Sequence, residues 1–179
     1  MNRFLLTISL CCLLTPSILP AQSQEKKSAK QSSLATIGAV ETVVLLKTEH
    51  RVQLEARIDT GAETSSITAK NIEEFERDGK PWVRFTIEHK DQKTTMSAPL
   101  VRTVEIKRHG AEGVKRPVVR LQIAMGKIRS NTEFSLTDRS KFEYPVLIGR
   151  SFLKGVAIVD VAGDHLTHPI TQEELQNEN

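Results

Sequence analysis

The stretch RIDTGAETSS, residues 57–66, decides how this chain is interpreted. Every second residue from Val52 to Ile58 is apolar and the residues between them are polar, which is typical of a half-buried strand. Asp59 and Gly61 then break the alternation. The stretch therefore predicts either an ordinary turn after a strand, or a strand that ends where it presents a carboxylate for chemistry.

The rest of the chain predicts a mainly β protein. Alternation or a short apolar run indicates further strands over residues 40–46, 82–87, 101–106, 118–123, 132–136, 146–148 and 156–161. Helical patterns are few, and the two that we predict cover residues 68–77, with Ile72 and Phe75 on one face, and 151–154. Many short strands with turns between them predict a closed or nearly closed antiparallel β-barrel with one or two short helices.

The first residues have the pattern of an export signal. A positive start, an apolar run interrupted by Pro16 and small residues before Gln24 predict a signal peptide over residues 1–23, so the mature protein is expected to be periplasmic or secreted. An uncleaved anchor is the alternative. After the leader we expect a flexible linker over 24–36, a single domain over 37–165 and a polar tail over 166–179.

Composition excludes several classes of function. The net charge of +3, one Trp and one Tyr give little basis for binding nucleic acid. Both cysteines, Cys11 and Cys12, lie in the leader, so a cleaved chain has no disulfide, thiol nucleophile or thiolate metal site. His165 and His168 fit a solvated turn better than a zinc site. We expect no metal, no cofactor and no stable membrane span after cleavage.

Asp-Thr-Gly-Ala at a strand end suits acid–base chemistry. Hydrolysing a peptide bond needs a base for the attacking water and an acid for the leaving group, and two adjacent carboxylates that share one proton supply both. Asp59 would be the carboxylate, and Gly61 would allow the sharp turn. The Thr60 hydroxyl could bond to a neighbouring loop, and Ala62 is small enough for close packing. Without further support, a turn or capping aspartate is the simpler interpretation.

Two separate motifs resemble one family. The motif IDTGA, residues 58–62, resembles the signature of retropepsin-like aspartic peptidases, and VLIGRSFL, residues 146–153, is similar to their second signature. The longer blocks RIDTGAETSSITA, residues 57–69, and FSLTDRSKFEYPVLIGRSFL, residues 134–153, together resemble the bacterial branch labelled ATP-dependent zinc proteases. Cytoplasmic relatives of that branch are associated with enzymes that ligate glutamate to proteins. The resemblance implies a retropepsin-type barrel, catalysis by Asp59, a homodimer because each chain has one such loop, and close packing of Gly149 against that loop.

The words "ATP-dependent" and "zinc" in that label have no matching motif in the sequence. The chain has no GxxxxGK[ST] phosphate loop and no HExxH helix, so the sequence gives no reason to expect ATP or zinc. Arg150 follows the second signature, and either an ion pair with Asp138 or a contact to substrate would explain it.

Residues 102–120 are rich in Lys and Arg, among them Arg108 and Arg116, and Gly110 and Gly113 predict the tip of a hairpin. This hairpin is either simply solvated or a mobile basic flap that favours acidic substrates.

The sequence therefore predicts an exported retropepsin-like aspartic endopeptidase in which a homodimer pairs two copies of Asp59. A peptide or protein would be the substrate. The alternatives are a non-catalytic periplasmic module that binds peptides or proteins on the same fold, and an envelope scaffold that binds a partner along a strand edge. In a monomer another acid would have to complete the site, with Asp160 and Asp164 as the candidates.

Overall fold

The computed structural model describes residues 34–46, 48, 52–90, 92–108, 111–171 and 173–174. The predicted signal peptide and residues 24–33 of the predicted linker lie outside these ranges. The described residues form eleven strands and one short helix: β1 (Ala35–Ile37), β2 (Val40–Leu45), β3 (Val52–Ile58), β4 (Ser65–Thr68), β5 (Lys70–Arg77), β6 (Lys80–His89), β7 (Gln92–Arg108), β8 (Ala111–Met125), β9 (Ile128–Thr137), β10 (Val146–Ile148), α1 (Arg150–Leu153) and β11 (Ala157–Val159).

Six strands close into a barrel, which confirms the predicted fold class. They are hydrogen-bonded in the order β2-β3-β10-β4-β9-β8, and β8 pairs back with β2 where Val44 lies opposite Ala124. The prediction of an antiparallel barrel needs one refinement, because β10 is parallel to β3 and β4 is parallel to β9. Both parallel pairs join strands that are far apart in sequence, as the long connection between parallel neighbours requires.

Period-two alternation sets the barrel interior. In β3 the apolar residues from Val52 to Ile58 are buried, whereas Arg57 between them is exposed. β10 is a central strand between β3 and β4, in which Val146 and Ile148 are buried and Leu147 between them is half-buried. The largest fully buried apolar side chains, contributed by seven strands, are Phe85, Phe134, Ile37, Leu54, Ile67, Ile87, Ile123, Met125, Leu136 and Ile148.

The helix predicted over residues 68–77 is wrong, because this segment is the end of β4 followed by the strand β5. β5 and β6 form a hairpin in which Phe75 lies opposite Trp82. Its turn is Asp78-Gly79, both with positive φ (52° and 70°), and Asp-Gly is among the strongest short-range hairpin signals. Cross-strand pairing, including Arg84 stacked 5.0 Å from the Phe75 ring, overrides the weak helical preference of the Glu-rich segment.

Strands β7 and β8 form a long hairpin, as residues 102–120 predict. Residues 109–110, and with them the predicted tip at Gly110, lie outside the described ranges. Gly113 is part of β8 rather than the tip, and a Cβ there would meet the Glu105 side chain. Beyond β7 the sheet continues through β6 to β5.

The chain ends of the domain pack beside the barrel. β1 pairs in parallel with β11 and begins at Ala35, two residues inside the linker predicted over 24–36. The second predicted helix is present as α1 (Arg150–Leu153), shifted by one residue. In the predicted tail, Ile170 is buried against Val44 and Ala124. Among the described residues, no helix has the length and apolar character needed to cross a membrane.

Candidate active site

Asp59 lies directly after β3, at the point where three strands of the barrel meet. Its backbone N–H donates to the carbonyl of Ile148 at 2.9 Å, at the end of β10. β10 lies between β3 and β4, so the loop of residues 59–64 that joins β3 to β4 passes across the end of β10. The position of Asp59 is therefore fixed by the barrel rather than by a free surface turn.

The loop's own backbone orients the Asp59 carboxylate. The N–H groups of Gly61 and Ala62 donate to Asp59 Oδ1 at 2.9 and 3.0 Å. No hydrogen bond from the described part of the chain reaches Oδ2, and the side chain is half-buried. A Cβ on Gly61 would lie only 3.1 Å from Oδ1, so glycine lets the backbone approach the carboxylate closely. One oxygen is held, and the other is available to a proton, water or second carboxylate.

The start of α1 holds the loop from the other side. The N–H groups of Arg150 and Ser151 donate to the carbonyls of Ala62 and Glu63, both at 2.9 Å. Arg150 Nη1 donates to the two preceding carbonyls, those of Thr60 at 3.1 Å and Gly61 at 2.5 Å. Four consecutive carbonyls, from residue 60 to residue 63, thus accept hydrogen bonds from two residues of α1.

Gly149 allows this close approach between α1 and the loop. Its N–H donates to Ser65 Oγ at 3.1 Å, and a Cβ at this position would lie 2.5 Å from the Thr64 carbonyl oxygen. Its φ of −96° is open to any residue, so the requirement for glycine is space and not backbone conformation.

The structure brings together six of the eight residues that the sequence singles out: Asp59, Thr60, Gly61, Ala62, Gly149 and Arg150. The Thr60 hydroxyl is exposed and makes no hydrogen bond with the described residues, so its predicted bond to a neighbouring loop is not formed within one chain. Within the described residues Arg150 does not pair with Asp138 either: its Nη1 donates to the carbonyls of Thr60 and Gly61, whereas Asp138 Oδ1 accepts the N–H of Ser140 at 2.8 Å.

The two arginines of the basic hairpin do not join this group. Arg116 lies near the buried Arg139, beyond the other end of β4, and burial together with the Arg116 charge lowers the pKa of Arg139. Arg139 bonds to Ser66 Oγ at 2.9 Å and to the Tyr144 carbonyl at 3.0 Å. The backbone of Arg108 pairs with Ala111, and its side chain lies outside the description.

A polar cleft of about 520 Å³ lies beside the loop, and sequence reasoning missed it. Its centre is Glu133 on β9, which receives hydrogen bonds from Arg102 on β7 and Arg120 on β8 (2.7 Å for Arg120). These bonds lower the pKa of Glu133. Glu63 and Ser151 line the same cleft. The arginines belong to the basic segment of the sequence, but their meeting depends on the register of three strands and on a bulge in β7.

The two acids proposed for a monomeric site, Asp160 and Asp164, accept hydrogen bonds from other parts of the chain. Asp160 Oδ1 accepts the N–H of Ala162 at 3.0 Å, and Asp164 Oδ1 accepts the N–H of Val40 at 3.1 Å. Neither bonds to the Asp59 loop within the described residues. In the same ranges, no group of three or more His, Cys, Asp and Glu side chains is arranged to hold a metal ion.

A barrel with an Asp-Thr-Gly-Ala loop supported by an apolar-Gly strand and a short helix defines the retropepsin-like class of aspartic peptidases. The sequence model of one such family, RimB-like, described as "Retropepsin-like aspartic endopeptidase RimB", matches residues 36–169. The chain belongs to this family, which confirms the resemblance seen in the two motifs.

Two similar proteins are named as ligases. The chain is 36% identical over 112 residues to a "Probable alpha-L-glutamate ligase" of Shewanella pealeana, and 30% identical over 127 residues to one of Parasynechococcus marenigrum. These alignments cover 60% and 69% of this chain but only 24% and 27% of the relatives, so the chain spans about a quarter of their length.

The crystal structure of a Legionella pneumophila protein of unknown function is also similar. It is 35% identical in sequence, superposes with a TM-score of 0.68, and the match covers 76% of this chain and 100% of that one.

Proposed function

We propose that this protein is an exported aspartic endopeptidase that acts as a homodimer, with one Asp59 from each chain forming the catalytic pair. The observation that carries the proposal is the Asp59 carboxylate, which has Oδ1 held by two backbone N–H groups and Oδ2 without a hydrogen bond from the described residues. That geometry leaves one oxygen per chain for the shared proton and the attacking water.

The proposed chemistry needs one ionised and one protonated carboxylate. Two carboxylates in contact do not both ionise, so the pair holds a single proton. The ionised Asp59 takes a proton from water as the water attacks the peptide carbonyl, and the protonated Asp59 of the other chain protonates that carbonyl oxygen. As the C–N bond of the tetrahedral intermediate breaks, the Asp59 that took the proton from water gives it to the leaving amine. The other Asp59 takes a proton from a hydroxyl of the intermediate, so the pair again holds a single proton. Two macroscopic ionisations and a bell-shaped pH–rate profile follow from this scheme.

An exposed apolar surface near Asp59 supports the dimer. Ile158 and Val161 are large apolar side chains that are 56% and 79% exposed, at the end of β11 and just after it. Two hydrogen bonds connect this region to the loop: Ala39 N–H donates to the Gly163 carbonyl at 2.7 Å, and Ile58 N–H donates to the Ala39 carbonyl at 2.9 Å. We expect a second copy of the chain, paired with the first through Asp59, to cover this surface.

Export is proposed from the leader alone. The pattern over residues 1–23 is that of a signal peptide, and those residues lie outside the structural description. An exported chain would be separated from cytoplasmic ATP and cytoplasmic ligases. The names of the ligase relatives, which are about four times longer than the matched segment, therefore do not supply the substrate here.

The decisive experiment is cleavage profiling with a proteome-derived peptide library, using residues 24–179 as wild type and as Asp59→Asn. We expect the wild type to cleave a defined set of peptides, to be inhibited by a statine-type inhibitor and to elute as a dimer. Asp59→Asn should elute as the same dimer without cleaving. Cleavage by Asp59→Asn at the wild-type rate would refute the catalytic assignment.

The same library separates the second candidate, a non-catalytic binding module. If the wild type retains peptides without cleaving them, and Asp59→Asn retains them equally, the fold is used for binding alone.

A further inference from the structure

Arg150 contacts the two peptide groups that hold Asp59, on the side opposite to the carboxylate. The Thr60 carbonyl belongs to the same peptide group as the Gly61 N–H, and the Gly61 carbonyl to the same group as the Ala62 N–H. Arg150 Nη1 donates to both carbonyls, at 3.1 and 2.5 Å, and both N–H groups donate to Asp59 Oδ1, at 2.9 and 3.0 Å. Two parallel relays thus run from one guanidinium, through one peptide group each, to one carboxylate oxygen.

Such a relay has two physical effects. A cationic donor on a carbonyl polarises the peptide group, so the N–H on its other side becomes a stronger donor. The guanidinium also fixes the planes of both peptide groups, because rotating either one would break its bond to Nη1. Both effects favour the ionised form of the carboxylate that receives the N–H groups, since hydrogen bonds to a charged form stabilise it.

We propose that Arg150 is a positioning residue for catalysis, which aims the Gly61 and Ala62 N–H groups at Oδ1 of Asp59 and keeps Oδ2 as the reacting oxygen. This inference rests on the proposed function, because orientation of Asp59 affects a rate only if Asp59 reacts. It gives the arginine of the second motif a role that differs from both an ion pair and a contact to substrate.

The anchoring of the loop does not depend on this side chain. The backbone N–H groups of Arg150 and Ser151 already hold the carbonyls of Ala62 and Glu63, and Asp59 N–H is bonded to Ile148. The Arg150 side chain itself is exposed, and its partners are neutral carbonyls. Bonds at such an exposed position add little to the free energy of unfolding. Removing the guanidinium should therefore alter the carboxylate more than the fold.

The test compares Arg150→Met and Arg150→Lys with the wild type, and uses Lys154→Met as the control. Lys154→Met removes an exposed positive charge from the other end of α1, where only the backbone N–H of Lys154 is bonded to the helix. For each protein, kcat and KM for the best-cleaved library peptide are measured against pH. Independently of activity, the titration of the ¹³C-labelled Asp59 carboxyl is followed by NMR.

We expect Arg150→Met to lower kcat by about ten- to a hundredfold with little change in KM, the range that misplacement of a reacting group produces. The acid limb of its pH–rate profile and its NMR titration midpoint should both move to higher pH. Arg150→Lys, which can donate to one carbonyl but lacks the planar fork, should recover part of both changes. Lys154→Met should behave as the wild type.

The inference is overturned if Arg150→Met keeps the wild-type acid limb and titration midpoint, or if Lys154→Met shifts them as much. Should Arg150→Met not fold, the same criteria apply to Arg150→Lys, with an intermediate shift expected. A wild type that cleaves no peptide would remove the proposed function. Even then, an unchanged NMR midpoint in the arginine variants would separately refute the action of Arg150 on Asp59.

Discussion

Asp59 and Glu41 are two carboxylates close to the same end of the barrel, and their surroundings are opposite. Glu41, on β2, is completely buried. Its Oε1 accepts the N–H groups of Gly38 at 2.6 Å and Leu166 at 3.0 Å, and its Oε2 accepts the Thr167 hydroxyl at 2.6 Å. Asp59 is half-buried and receives hydrogen bonds on one oxygen only.

The difference separates a structural acid, Glu41, from the acid that we propose to react, Asp59. Every oxygen of Glu41 is used to attach the segment around residues 166–167 to the barrel, so no oxygen is left for a proton or a substrate. Asp59 has the fixed position of a structural residue but keeps one oxygen available. The number of hydrogen bonds that each carboxylate oxygen accepts therefore distinguishes the two acids, which the residue type alone does not.

The largest expected effect is the loss of peptide cleavage in the variant Asp59→Asn. Asparagine keeps an oxygen that can accept from Gly61 and Ala62, so the loop should stay intact while the acid–base function is lost. We expect kcat to fall by more than about a thousandfold, as for removal of a reacting group. The thermal unfolding midpoint should change by no more than about 3 °C. Peptide cleavage and calorimetry measure the two, and a large loss of stability would place Asp59 with the structural acids.

For Glu41→Ala we expect the opposite: a clear loss of stability with little loss of activity. This substitution removes the acceptor from the N–H groups of Gly38, which is buried, and of Leu166 and Thr167, whose bonds to Glu41 are partly buried. We expect the free energy of unfolding in urea to fall by about 2–4 kcal/mol, with the rate per folded dimer largely kept. The matched control is Glu55→Ala on the adjacent β3, which should cost less than about 1 kcal/mol. Equal effects of the two substitutions would contradict the structural role of Glu41.

Gly149→Ala tests whether the proposed activity of Asp59 depends on the close packing of α1 against its loop. An added methyl would meet the Thr64 carbonyl oxygen at 2.5 Å and its carbon at 2.7 Å, and backbone atoms cannot simply rotate away. We expect a loss of about 1–3 kcal/mol in stability together with a clear loss of activity. Lys154→Ala, on the exposed end of α1, is the control and should leave both unchanged. Unchanged activity in Gly149→Ala would show that the loop tolerates a shifted helix.

The smallest effect concerns Glu133, whose carboxylate is paired on both oxygens but lies in the open cleft. Hydrogen bonds from Arg102 and then Arg120 hold its pKa below the ordinary 4.5. The pairs therefore add stability above about pH 4.5 and lose it as the pH falls through the lower value in the folded protein. Glu133→Gln should cost less than about 1 kcal/mol near pH 7, and the difference from wild type should shrink below pH 4.5. Unfolding curves at several pH values measure this, and a constant difference would exclude the ion pairs as its cause.

Much of the barrel was predictable because its strands obey simple patterns. The alternation in residues 52–58 predicted β3 at its observed bounds, and the apolar run 146–148 predicted β10. The segment 68–77 was mistaken for a helix because Ile72 and Phe75 are three residues apart, which fits one face of a helix and not the alternation of a strand. The Asp78-Gly79 turn was the signal that could have decided it.

The site was predictable only as far as local motifs reach. The two signatures located Asp59, Gly149 and Arg150 by the spacing within each motif. The pairing of Arg102 and Arg120 with Glu133 depends on strand register and on the bulge in β7. Glu41 gave no signal, since an acid between Val40 and Thr42 is expected on the solvent side of a strand.

The position of β10 also has a consequence for how the protein folds. β3 and β4 are consecutive in the chain, but the strand that separates them and the arginine that reaches Thr60 come much later, 90 residues after Thr60. During synthesis the Asp59 loop is therefore made long before the groups that shape it. Contacts of such large sequence separation form slowly. The carboxylate can therefore be set in its final geometry only after nearly the whole domain has emerged, so the proposed peptidase would be inactive until its chain is almost complete.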